Sequence, residues 1–122
     1  MIYSMCYYHE SKTMSKRIKE ILRQFRKKVY SEFSGQTIKI FVYGSCARGD
    51  ERPDSDLDLL VIVKKKSASL ERKIKDIAYE IMWEWNFTPL ISVEIFGEEY
   101  FKNLQKMGSS FYRAIQSEGI LL

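Results

Sequence analysis

Asp56 and Asp58 stand one residue apart at the head of the apolar run Leu57–Val63, and a Gly44-Ser45 pair lies upstream with ten residues between Ser45 and Asp56. On an extended strand, side chains at i and i+2 share a face at a rise of ~3.3 Å per residue, so the two carboxylates converge while Leu57 turns away. Held together they repel, and each raises the pKa of the other unless a cation joins them. Mg²⁺ suits such a pair, because it takes hard oxygen ligands and is commonly held by one or two carboxylates plus substrate phosphate. Gly44 has no side chain to keep a ligand from the backbone. The Ser45 hydroxyl and neighbouring amides can donate to phosphate oxygens, and a short helix beginning at Cys46 or Ala47 would aim its N-terminus at the same anion. Arg48 could clamp a phosphate. Each feature has a plainer reading taken alone: turn aspartates in Pro53-Asp54-Ser55-Asp56, an ordinary Gly-Ser turn, an arginine closing a loop. Their combination points to phosphate held beside a divalent metal.

The elements that must position these residues can be read from periodicity. Ile18, Ile21, Leu22, Phe25, Val29 and Phe33 recur at spacings of three and four with charges between, which predicts an amphipathic helix. Ser15 is its expected N-cap, and it should end near Gly35. Thr37 to Tyr43 is β-branched and aromatic and reads as a strand ending at Gly44. The seven-residue run Leu57–Val63 suits a strand buried on both faces. The polar stretch between them, Cys46–Ser55, should hold one short helical turn. About thirteen residues join the two strands, too many for a tight hairpin and enough for a functional loop. Ser69 is the expected cap of a second helix carrying Leu70, Ile74, Ile77, Ala78, Ile81, Met82 and Trp85. Asn86–Pro89 breaks the chain before a third strand, Leu90–Phe96. A helix from Gly97-Glu98-Glu99, an interruption at Gly108 and a last helix over Ser110–Ser117 complete the reading.

The fold class expected is therefore α/β (α+β), a small mixed sheet with helices packed on it. The chain of 122 residues suggests one domain over residues 15–122, preceded by an arm, residues 1–14, without clear periodicity. No apolar run approaches the ~18 residues of a membrane span, and Met1–Tyr8 lacks the basic start and apolar centre of a signal peptide. Two cysteines, Cys6 and Cys46, do not make a disulfide framework, so a cytoplasmic location is expected. The net charge of +4 suits nucleotide phosphates, nucleic acid or an acidic partner. Lys16, Arg17, Lys19, Arg23, Arg26, Lys27 and Lys28 fall in the first helix, where a solvated face is the simplest account. Contact with nucleic acid has no base-reading or stacking motif to support it.

Gly44-Ser45, ten residues, then Asp56-x-Asp58, with Ala47-Arg48-Gly49 inside and Ser55 directly before the aspartates, resembles the signature of the DNA polymerase beta nucleotidyltransferase superfamily. The chain is most similar to its minimal nucleotidyltransferase branch, small proteins often paired with a HEPN-domain partner and acting as antitoxins. The resemblance implies the polymerase-beta-like nucleotidyltransferase fold and a third carboxylate on a neighbouring strand. Glu94 is the acid at that place, where many relatives carry aspartate. It further implies that Asp56, Asp58 and Glu94 hold Mg²⁺, two ions in the usual arrangement. Gly44, Ser45, Arg48 and Ser55 would bind the nucleotide phosphates. A nucleoside monophosphate, AMP from ATP by analogy, would pass to a hydroxyl of a partner such as a HEPN-type toxin.

Two other functions fit the same residues. Glu94 in place of aspartate allows a non-catalytic, nucleotide-binding antitoxin. A small-molecule nucleotidyltransferase of the antibiotic-modifying kind is the other, against which stands the missing substrate domain. In the leading reading the short chain would have its cleft completed by a partner chain, and an oligomer is left open. Cys46 reads as a small space-filling residue and His9, the single histidine, as a surface or arm residue. Trp83 and Trp85 diverge by about 200° on a helix, so one of them should be exposed and free to meet a partner.

Overall fold

A computed structural model describes residues 14–49, 52 and 55–122 of the chain. Helix α1 spans Lys16–Phe33, and the Ser15 hydroxyl accepts the Ile18 amide at 3.2 Å, which satisfies one of the donors a helix start leaves over. Its buried stripe is Ile18, Ile21, Leu22, Phe25 and Val29, as the periodicity predicts. Strand β1 (Thr37–Tyr43), the short helix α2 (Ser45–Arg48) and strand β2 (Leu57–Val63) follow. Helix α3 (Ala68–Glu84), strand β3 (Ile91–Gly97), helices α4 (Glu98–Met107) and α5 (Ser110–Glu118) and strand β4 (Ile120–Leu121) complete the order.

The sheet runs β3-β2-β1-β4, with β2 and β3 parallel and β1 antiparallel to both β2 and β4. Helix α3 is the crossover that two parallel strands require. Alternation along each strand divides the side chains between two cores. Ile40, Val42, Leu57, Leu59, Val61, Val63, Ile91, Val93, Ile95 and Ile120 pack with α1 and α3. Phe41, Leu60 and Ile62 pack on the other face with Phe101 of α4 and Tyr112 and Ile115 of α5. Burial of β2 on both faces is thus complete except at Asp58. Each large apolar side chain so buried contributes roughly 1.5–3 kcal/mol. The mixed sheet with helices on it is the expected architecture.

Four local expectations change. The cap of α3 is Ser67, whose hydroxyl accepts the Leu70 amide at 3.1 Å; Ser69 lies within the first turn. The third strand starts at Ile91, while Leu90 is exposed and gives its carbonyl to the Leu57 amide at 2.8 Å. Met14, assigned to the arm, is buried in the core with α1; the rest of that arm, with Cys6 and His9, lies outside the described residues. Strand β4 has no counterpart in the sequence reading. Of the two tryptophans, Trp83 is 62% exposed, whereas Trp85 packs against the core and donates its indole N–H to Gln24 Oε1 at 3.1 Å. Among the described residues, no helix is long and apolar enough to cross a membrane.

Candidate active site

The ends of three strands bring the candidate residues to one edge of the sheet. β1 ends at Tyr43 as β2 begins, and Tyr43 is the register partner of Asp58. On the other side Asp58 pairs with Ser92, and Leu60 with Glu94. Asp58 shares its side of β2 with Leu60 and Ile62, as Ser92 and Glu94 share theirs of β3 with Phe96, so all three polar residues lie on the face that α4 and α5 cover. That cover is partial, because Ser92 and Glu94 are exposed. The open half of this face is the floor of the candidate site.

Gly44 fixes the closest approach. Its φ of +76° is a conformation that side-chain-bearing residues rarely adopt. A Cβ built there would stand 2.5 Å from Asp58 Oδ2. Glycine is therefore required both by the turn and by the carboxylate lying against it. The helical turn α2 starts at Ser45, one residue ahead of the expected start. Gly44 O accepts the amides of both Ala47 and Arg48 at 3.1 Å, so the amides of Ser45 and Cys46 precede the first intrahelical bond. Gly49, with φ +81°, ends the turn in the left-handed region. Cys46 is buried, and its thiol donates to the Asp56 carbonyl at 3.6 Å. The space-filling cysteine thus also fastens α2 to the backbone that carries the aspartates.

Burial raises the pKa of Asp58 above its ordinary value, the charge of Asp56 raises it further, and the Arg48 guanidinium opposes both. The Tyr43 hydroxyl is pushed up to about 12 by burial first, then by the charges of Asp58 and Glu94. Negative charge from three carboxylates is therefore felt on this patch of the sheet. Asp56 itself is exposed, and its charge acts on Asp58 from the mouth of the site.

The remaining expected ligands are placed less directly. Ser55 accepts the Arg52 amide at 2.7 Å and its own amide donates to Arg52 O at 2.9 Å, so it closes the loop just ahead of Asp56. Arg48 donates from Nη1 to Glu118 Oε1 at 3.2 Å while keeping its influence on Asp58. Glu94 shares the face with Asp58 but stands two residues deeper, roughly 6–7 Å along the strand. Among the described residues, no group of three or more His, Cys, Asp or Glu side chains is gathered to hold a metal ion. The donor set still fits a hard divalent cation: two carboxylates two residues apart on one strand face, one of them pressed against a glycine and partly withdrawn from water.

Tyr43 and Glu118 went unread in the sequence. Tyr43 directly precedes Gly44, and the register of the two strands could have pointed to it. Glu118 carries no local signal, being 70 residues from its partner Arg48.

The sequence pattern of the nucleotidyltransferase domain matches residues 18–121, nearly all of the folded unit. The chain belongs to the nucleotidyltransferase family. This nucleotidyltransferase is 28% identical over 92 residues to a candidate protein adenylyltransferase of Methanocaldococcus jannaschii, a match covering 73% of this chain and 93% of the relative. A second candidate protein adenylyltransferase of that organism is 28% identical over 101 residues, covering 83% and 93%. A third is 33% identical over 81 residues, covering 62% and 55%. A solved structure, that of a candidate nucleotidyltransferase from Sulfolobus solfataricus, overlays with a TM-score of 0.44 and 15% identity, over 93% of this chain and 89% of the other.

Proposed function

We propose that this nucleotidyltransferase transfers AMP from Mg²⁺-bound ATP to a hydroxyl of a partner protein. The observation that carries the reading is Gly44, at φ +76° and packed against Asp58 Oδ2, because it sets backbone with no side chain directly beside one of a pair of carboxylates. Asp56 and Asp58 would hold the metal on the triphosphate. Mg²⁺, when bound, would supply neutralisation of phosphate charge. Gly44 offers close backbone approach, and Ser45, Ser55 and Arg48 offer donors to the phosphate oxygens. Glu94, exposed on the same face, would take the proton of the acceptor hydroxyl. The hydroxyl oxygen forms the new bond to the α-phosphorus, the bond to the bridging β-oxygen breaks, and pyrophosphate leaves. What the chain itself contributes is positioning and fixed charge.

Adenylyl transfer to protein is supported by the relatives named as candidate protein adenylyltransferases. A HEPN-domain toxin as that protein, with this chain as its antitoxin, rests on the resemblance of the Gly44–Asp58 segment to minimal nucleotidyltransferases. A second reading, nucleotide binding without turnover, is favoured by one feature: Glu94 is not gathered with the aspartates into one cluster. Incubating the whole chain with α-labelled ATP, Mg²⁺ and a HEPN-domain partner separates the two. Transfer of label to the partner, reduced at least about 100-fold in Asp58→Asn, is the expected result. A partner that binds but never takes label, with every nucleoside triphosphate tried, would remove the enzymatic reading for that partner.

A further inference from the structure

The ion pair between Arg48 and Glu118 joins two parts of the chain that differ in how they are held. Arg48 ends a four-residue helix set between Gly44 and Gly49, both at positive φ. Glu118 ends α5, whose Ile115 and Tyr112 are buried under the sheet. Directly after it, Gly119 donates its amide to Ile115 O at 2.8 Å, and β4 pairs Ile120 with Val42 and Leu121 with Phe41. Phe41 and Val42 belong to the strand that runs on into Gly44. Glu118 is thus mounted on a fixed frame and Arg48 on a turn with glycine at either end.

Resting on the proposed use of Arg48 for phosphate, we infer that Glu118 is a positioning residue for the nucleotide, holding the Arg48 guanidinium at the edge of the site. A guanidinium has five donors in a rigid fork, so engaging one on Glu118 sets the direction of the others. The fork is thus tied to the Glu118 carboxylate while its charge acts on Asp58. Without Glu118 the guanidinium loses this direction, and a bound triphosphate must set it again. A merely structural account predicts little, because both partners are partly exposed and such pairs are weakly stabilising.

Calorimetric titration of MgATP into the full chain, paired with kcat and KM in the transfer assay, tests this. Glu118→Ala should weaken MgATP binding and raise KM roughly 3- to 10-fold, the size of one hydrogen bond's worth, with kcat changed less. Glu118→Gln should recover most of the loss, since its amide oxygen still accepts from Nη1. On an Arg48→Ala background, Glu118→Ala should add nothing. Unchanged or tighter binding in Glu118→Ala, or an equal further loss on the Arg48→Ala background, overturns the inference while leaving the proposed function standing. A wild-type chain that binds no MgATP overturns both.

Discussion

The two faces of the sheet are built by the same strands and are closed very differently. On the face under α1 and α3, all four strands contribute buried apolar side chains. On the face under α4 and α5, burial is complete at Phe41, Leu60 and Ile62 and then stops. Beyond that line stand Asp58, Ser92 and Glu94, with Ser92 and Glu94 exposed. The first face is what specifies the fold. The second gives up part of its cover, and the uncovered part is where charge converges. A strand such as β2 can serve both because its alternation sends Leu57, Leu59, Val61 and Val63 one way and Asp58 the other.

The largest expected effect tests whether the closed face carries the stability. Leu59 is fully buried there, and Leu59→Ala should cost about 3–5 kcal/mol, a transfer loss plus a cavity. Leu104 only borders the second core, so Leu104→Ala should cost about 1 kcal/mol or less by the same reasoning. Urea unfolding measures both. Equal losses would mean that the two faces are energetically alike and that the open half is not a sacrifice of cover.

A smaller effect sharpens the comparison at the site. In Gly44→Ala the new methyl would meet Asp58 Oδ2 at a positive φ, which should cost about 1–3 kcal/mol and displace the carboxylate. Gly35, on the connection between α1 and β1, has nothing within 4 Å of a built Cβ, and Gly35→Ala should stay within about 0.5 kcal/mol. Both are read from urea midpoints, with MgATP binding as a second readout. If Gly44→Ala proved as harmless as Gly35→Ala, the close packing of the turn on Asp58 would carry no functional weight.

The closed face was almost wholly legible in the sequence. The 3–4 spacing of Ile18 to Val29 located α1 and its buried stripe, and the Leu57–Val63 run, apolar but for Asp58, announced a strand buried on both sides. Ser69 was expected to cap α3 and Ser67, two residues earlier, does so; both are serines, and only the backbone decides between them. β4 is two residues long, too short for any period, and exists because β1 offers it an edge. At the site, Gly44, Asp56 and Asp58 were legible because their relation is local: a turn and a two-residue repeat. The Arg48–Glu118 pair was not, since it depends on α5 and β4 returning the chain to β1. The partial cover that exposes Glu94 was half legible, as polar residues alternating with Ile91, Val93 and Ile95. How far α4 and α5 reach over the sheet is a matter of tertiary packing.

The smallest expected effect asks whether the open face is strained by its own charge. Burial and the charge of Asp56 raise the Asp58 pKa above its ordinary value of 3.8, so the folded chain holds the proton of Asp58 more tightly than the unfolded chain does. The stability linked to that proton is fully present below pH ~3.8 and is lost as pH rises through the elevated folded value. At neutral pH the ionised carboxylate is therefore a cost, a small one because solvent screens the partly buried Asp58. Asp58→Asn removes it and should stabilise the chain by about 0.5–1 kcal/mol at pH 7, as relief of a functional group commonly does. The gain over wild type should shrink as pH falls toward 3.8, where the wild-type carboxyl carries its proton too. Mg²⁺ should narrow the same gap from the other side, by binding the native wild type and not the variant. Thermal melts of both proteins across pH, with and without Mg²⁺, measure the difference directly. A gap that stays constant with pH and ignores the metal would show that Asp58 sits at ease, and that the open face owes its shape to packing alone.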